Sequence, residues 1–476
     1  MTFTTLTFVT FLVVVFGLHW ASENRTWRNW IISASSFLFY SYWDVRFALL
    51  MLGSITVDYA VAMALDREHR PKWRRGLLCL SLSYNLSVLG FFKYFNFFTE
   101  NLAGLASQIG VEFHPVTLTV ILPVGISFYT FQSLSYTLDV YSGRLKPTRN
   151  YLDYTTFVCF FPQLVAGPIE RAGHLLGQFQ NHRVFDAQIA ADGCRLILWG
   201  MFKKMVLADN LSSVVDPLYG ADLKTASGID LAVATMFFAF QIYFDFSAYS
   251  DIAVGVAKWF GIDLRRNFAY PYFSASAPEF WRRWHISLST WFRDYVFIPL
   301  GGSRCGRGRW AFNLLLTFVI SGLWHGASWN FVFWGLLNGL AVLAWTLFTE
   351  HQQTSKMSGW KRLANTALTF SIICLTWVFF RAETLPDAIH IFKSVCSDIF
   401  KPELYIACFT KGLVPWHVGL HLSGTVFVEW LQRRHLHPLH LPHWPRVLRW
   451  TAYTFIVMDV LIFGSLHQGS FIYFQF

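Results

Sequence analysis

Long apolar runs separated by short charged stretches dominate this chain. Candidate membrane segments are Phe3–Leu18, Trp30–Trp43, Phe47–Leu65, Leu77–Phe98, Val116–Leu138, Phe157–Ile169, Ile189–Leu207 and Leu231–Phe246. Further along come Ala311–Trp324, Phe331–Phe348, Leu363–Phe380, Val414–Trp430 and Val447–Phe463. A crossing helix takes ~20 apolar residues, so several of these runs are too short to cross alone and re-entrant or interfacial helices are expected among them. The pattern predicts an all-α, polytopic integral membrane protein with about eleven to thirteen membrane segments, forming one membrane-embedded domain over residues 1–476.

The polar positions between the runs alternate in charge. Arg67, Arg70, Lys72, Arg74 and Arg75 share one loop, and the next, Thr99 to Pro115, has no Lys or Arg. Arg144, Lys146 and Arg149 follow. Nine basic residues lie between Lys258 and Arg309, and Arg433, Arg434, Arg446 and Arg449 mark a last basic loop. Lys and Arg collect on the cytoplasmic side, so these loops are expected inside and both termini outside. Phe3–Leu18 lacks a basic flank and a cleavage site and reads as a retained span.

Composition adds to this picture. Hydrophobic residues make up 54% and charged residues 14%, too few charges to solvate so apolar a chain as a soluble globule. The net charge of +10 is then explained by cytoplasmic loops, and no nucleic acid partner is expected. Seven cysteines, an odd number with no CxxC, read as free thiols. His435, His437, His440 and His443 match no zinc spacing and read as a Pro-broken juxtamembrane loop. No metal is expected there or at His417 and His421.

Ionisable and polar groups at membrane depth are costly and therefore mark candidate chemistry. His325, within Ser321-Gly322-Leu323-Trp324-His325-Gly326, is the only ionisable residue between Arg309 and Glu350. A neutral imidazole can accept a proton there, and Gly322 and Gly326 would let a substrate or a neighbouring helix come close. Catalysis and a plain helix contact both fit these residues. Residues 278–295 place Trp281, Trp284, Leu288, Phe292 and Tyr295 on one stripe. This predicts an amphipathic interfacial helix with His285 facing inward and Arg282 and Arg283 able to attract a phosphorylated ligand. Asp245 and Asp251, six residues apart, do not share a helix face well. They are expected as charge partners of nearby arginines or as anchors around a cavity. Cys159 to Ile169 is too short and Pro-rich to span, and predicts a buried re-entrant turn with Gln163 facing a cavity. GxSxG, HExxH and GxxxxGK[ST] are absent.

Taken together, Leu122 to Gln132, Phe160 to Ile169, Tyr243 to Asp251, Asn267-Phe268 with Pro271-Tyr272, Glu279 to Asp294, Pro299 to Gly302, Gly322 to Trp329 and Phe471 to Phe476 resemble the membrane-bound O-acyltransferase superfamily, and within it the bacterial alginate O-acetyltransferase branch. The resemblance implies helices around a transmembrane tunnel lined by Gly322, Trp324, Gly326, Gln163 and Asp245. It implies catalysis by His325, a second site histidine at His285, and donor contacts at Arg282 and Arg283. It also implies a bacterial inner-membrane enzyme with no permanently bound cofactor. Acetyl-CoA or another cytoplasmic acyl thioester would be the donor. A hydroxyl of an exopolysaccharide such as alginate would be the acceptor, reached directly or through a periplasmic partner acetyltransferase, with membrane lipid as surroundings. A polysaccharide or lipid flippase, or a non-catalytic scaffold of a polymer-export complex, are the alternatives; both would function without His325.

Overall fold

The computed structural model describes residues 1–476 except 112–114, 116, 119–120, 166, 350–357, 411, 466–470, 473–476 and the side chain of Phe409. The end of the expected 471–476 motif and part of the run beginning at Val116 therefore lie outside the described residues. Every regular element described is helical. Five helices are long and apolar enough to cross a membrane: Val45–Arg67, Pro71–Gln108, Gly228–Trp259, Trp329–Phe348 and Gly359–Arg381. Seven more, of 15 to 19 residues, coincide with shorter apolar runs, among them Arg307–His325 and Trp416–Gln432. Their outer faces carry bare aliphatic side chains: Leu49 is 63% exposed, Leu363 60% and Leu461 73%. Such faces are stable against lipid, not water.

The helices gather into two compact units. The first comprises Met1–Gly193 with Ala253–Arg265. Its buried Asp58 accepts hydrogen bonds from Asn85 Nδ2 at 2.9 Å and from the Ser81 and Ser133 hydroxyls, tying three helices together. Interhelical bonds of this kind replace the hydrophobic drive that lipid does not supply. The end of Tyr151–Cys159 and the single turn Phe161–Leu164 fall in the expected short segment, and the chain is buried from Asp153 through Val165.

The second unit comprises Cys194–Ile252 with Arg266–Phe476. Its helices Arg307–His325 and Trp329–Phe348 meet through glycine. A Cβ on Gly322 would stand 2.2 Å from the Phe331 carbonyl oxygen, and one on Gly335 2.3 Å from that of Phe318. Close backbone approach of this kind is how small residues join membrane helices.

Three expected boundaries need correction. Thr99 to Gln108 is helical, extending the helix begun at Pro71 through a π-segment at Gly90–Tyr94. The helix expected to end near Phe246 runs on to Trp259, because its acidic residues find buried lysine partners. The amphipathic stretch 281–295 is not one helix: Ala277–Arg283 ends, Trp284 and His285 leave the helical path, and Ile286–Phe292 begins anew.

Candidate active site

The break at His285 sets the site's geometry. His285 adopts φ 41° and ψ 57°, left-handed backbone that a non-glycine residue rarely holds without support. Support comes from the strand-like segment after Arg266. Ile286 N–H donates to the Asn267 carbonyl at 2.9 Å, and Ala269 N–H donates to the Arg283 carbonyl at 2.9 Å. The Asn267 side-chain oxygen lies 3.2 Å from His285 Nδ1 and accepts from the Ser287 hydroxyl at 2.9 Å. Asn267 Nδ2 in turn donates to Ser250 Oγ at 3.2 Å. His285 is thus held at backbone and ring alike, with Phe246 4.6 Å from its centroid. Burial lowers its pKa to about 3, so the ring is neutral.

His325 is the last residue of Arg307–His325, where the chain turns to extended backbone at Gly326 before Ser328 starts the next helix. It is buried, at 4% exposure. Three rings surround it: Trp324 and Trp334 at 4.9 Å, and Phe380 at 5.3 Å. The Trp334 ring stacks on Trp377 at 5.7 Å, and Trp377 lies 5.1 Å from Trp284, the neighbour of His285. The other face of the arrangement closes through Trp324, whose ring lies 6.1 Å from His285. The two histidines expected at the site therefore flank one indole, in an aromatic enclosure of low polarity.

The other candidates are placed as follows. Gly322 and Gly326 belong to the same unit, but both face Phe331: a Cβ on Gly326 would lie 2.0 Å from its ring. On the side where a Cβ would stand, the space beside both glycines is taken by Phe331 of the next helix. Asp245 pairs with Lys204 at 2.7 Å and accepts from Ile472 N–H at 2.7 Å. Asp251 pairs with Lys203 at 2.8 Å. The charge partners of both aspartates are lysines, not arginines, while the Asp245 bond to Ile472 N–H fits the other expectation, an anchor for the backbone; Lys204 also binds Asp209 at 2.8 Å. Arg282 is exposed; Arg283 is held by Glu279 at 2.6 Å. Gln163, in the first unit, donates to the Phe157 carbonyl at 2.7 Å and caps its own buried turn.

Asn267, Lys203, Lys204 and Glu429 are functional candidates that reading the sequence for sites did not single out. Glu429 is buried and accepts from the Tyr243 hydroxyl at 3.0 Å. The signal for the charged three was present, since each sits inside an apolar run where an ionisable group is costly.

This enclosure lies within residues 80–381, which match MBOAT, the membrane-bound O-acyltransferase family. The chain belongs to that family. It is accordingly an O-acyltransferase and a multi-pass membrane protein, as the motifs led one to expect. It is 38% identical to a protein of Pseudomonas putida named "Probable alginate O-acetylase AlgI", over 98% of each chain. It is 37% identical to a peptidoglycan O-acetyltransferase of Helicobacter pylori, covering 77% of this chain and 73% of that one. A teichoic acid D-alanyltransferase of Streptococcus thermophilus is 27% identical over 54% of this chain and 68% of its own.

Proposed function

We propose that this O-acyltransferase moves acetyl groups from a cytoplasmic thioester, acetyl-CoA, to a hydroxyl of an exopolysaccharide such as alginate, directly or through a periplasmic partner acetyltransferase. The observation that carries the reading is the seat of His325: buried, ringed by Trp324, Trp334 and Phe380, at a helix C-terminus. As the acceptor oxygen attacks the thioester carbonyl, His325 takes its proton. The carbon–sulfur bond then breaks, and the proton passes to the departing thiolate, leaving ester and free thiol. Positioned proton transfer of this kind is worth ~10²–10⁴ in rate. The carbonyl end of Arg307–His325 presents partial negative charge to the transient imidazolium, and the aromatic walls exclude competing water. His285, neutral and fixed by Asn267, is assigned to orienting the reacting groups across Trp324. Exposed Arg282 is assigned to the donor's phosphates. The guanidinium of Arg283 is already engaged by Glu279, so its share is smaller. The names of the relatives support acetyl as the group and a polysaccharide as the acceptor. The basic loops support an inner-membrane orientation with both termini periplasmic.

The test is transfer of radiolabelled acetyl from acetyl-CoA in proteoliposomes containing the protein, with alginate and candidate periplasmic acetyltransferases as acceptors. Label on polymer or partner is expected. Hydrolysis of acetyl-CoA without label on either would overturn the assignment.

A further inference from the structure

A cavity of about 860 Å³ lies in the same unit, and its lining meets the residues assigned to the reaction above only at Arg283, already engaged by Glu279. Its floor is the Gly228–Trp259 helix, through Phe240, Tyr243 and Phe244. One wall is Gly359–Arg381, presenting Arg362, Thr366 and Phe370 at intervals of four residues. The other is Trp416–Gln432, presenting Val426, Glu429 and Trp430. The wall helices run in opposite senses along the cavity: Phe370 and Trp377 meet Phe240 and Phe238 in turn, against the direction of the floor helix, while Glu429 bonds Tyr243 and His437 shares a small pocket with Asp251, along it. Arg362 lies in the first turn of one, and Arg433 and Arg434 follow the last turn of the other. All three arginines therefore gather at one end.

The opposite end is apolar. Phe370 is eight residues beyond Arg362, about 12 Å along a helix, and Val426 is seven before Arg433, about 10 Å. The cavity is thus graded, cationic at one end and aromatic and aliphatic at the other, between two membrane helices. Leu363 and Trp430 at its edge are 60% and 46% exposed, which opens it sideways. A soluble anion would match only the arginines, and a hydrocarbon only the far end.

We propose that this groove holds an anionic phospholipid. Its phosphate lies among Arg362, Arg433 and Arg434, and an acyl chain lies along Phe240, Phe244 and Phe370. Guanidinium groups suit phosphate oxygens, and basic pockets between membrane helices on the cytoplasmic side recognise anionic headgroups. Arg433 is braced for this by stacking on Trp430, 4.6 Å from its ring. The four lining arginines outnumber the cavity's one carboxylate, Glu429, which already serves Tyr243; Arg362 and Arg283 also share Glu279, at 3.6 and 2.6 Å. A stack of Tyr272, Trp284 and Trp377 separates the groove from the rings around His325, with centroid spacings of 6.0 and 5.1 Å. The lipid is therefore a structural ligand next to the site and not a reactant.

The test is native mass spectrometry of the purified full chain, titrated in mild detergent with phosphatidylglycerol or phosphatidylcholine. Preferential retention of phosphatidylglycerol is expected. Arg433→Gln with Arg434→Gln should weaken it on the order of five-fold for each charge removed. Thr366→Trp, which fills the groove and leaves the charges, should also lower retention. Arg433 and Arg434 are exposed and Thr366 is partly buried, and folding is checked by melting temperature in each variant. Equal retention of both lipids, or unchanged retention in both variants, would overturn the proposal. Displacement of bound phosphatidylglycerol by acetyl-CoA would overturn it too, by making the groove the donor's site.

Discussion

Gly322→Ala isolates what the small residues beside His325 do. The added Cβ would stand 2.2 Å from the Phe331 carbonyl oxygen and 3.2 Å from Gly335 Cα. Carbon and oxygen come to rest at roughly 3.3 Å, so the helices must separate by about 1 Å. The obstacle is backbone and cannot rotate away. Overpacking of this kind costs ~1–3 kcal/mol, and ~2–4 °C of Tm accompanies each kcal/mol in a unit of this order of size. Gly326→Ala meets a different obstacle, the Phe331 ring at 2.0 Å. That ring lies 5.0 Å from Phe380, which lies 5.3 Å from His325. Gly326→Ala should therefore lower the transfer rate more than Gly322→Ala does, for the same loss of Tm. The assay pairs acetyl transfer in proteoliposomes with thermal melts of the same preparations. Wild-type Tm in Gly322→Ala would refute the packing reasoning. Loss of transfer in Gly322→Ala at unchanged Tm would point to an open passage there instead.

Lys204→Met leaves Asp209 and Asp245 buried without their shared cation, a loss of about 3–5 kcal/mol by analogy with broken buried pairs, read as a large drop in Tm or in folded yield. Adding Asp245→Asn to that variant should recover part of it. His174 has its pKa raised above 6.5, chiefly by its hydrogen bond to Glu170 at 3.0 Å. The stabilisation is therefore full below pH 6.5 and lost as pH rises through the folded-state value. His174→Gln should then lower Tm at pH 5.5 and leave it nearly unchanged at pH 9; an equal loss at both would contradict the linkage. In intact cells lacking the native cysteines, an impermeant maleimide should label Ser107→Cys and spare Ser303→Cys, and the reverse pattern would invert the proposed topology.

The membrane helices were legible because lipid imposes one requirement, a long apolar run, and Val45–Arg67, Trp329–Phe348 and Gly359–Arg381 match their runs within a few residues. His325 was legible for the same reason: it is the lone ionisable residue in forty. The break at His285 was not legible. The stripe Trp281, Trp284, Leu288 is helical in spacing, and only pairing of Asn267 and Ala269 with Arg283 and Ile286 turns the backbone aside. Local pattern holds no trace of a partner fourteen or more residues away. Asp245 and Asp251 were visible as costly charges, but their lysines lie over forty residues earlier in an ordinary-looking apolar run. Gly322 and Gly326 show that absent bulk is ambiguous in sequence. The same glycine can admit a substrate or a helix, and here Phe331 lies where a Cβ would stand.

The central claim is that His325 takes the acceptor's proton. His325→Gln tests it most directly, since glutamine fills much of the same space among Trp324, Trp334 and Phe380 and can hydrogen-bond without accepting a proton at neutral pH. Single-turnover transfer of labelled acetyl should fall by ~10²–10⁴ in the purified variant while Tm and acetyl-CoA binding stay at wild-type values. Transfer at the wild-type rate would leave His325 with a positioning role and contradict the account.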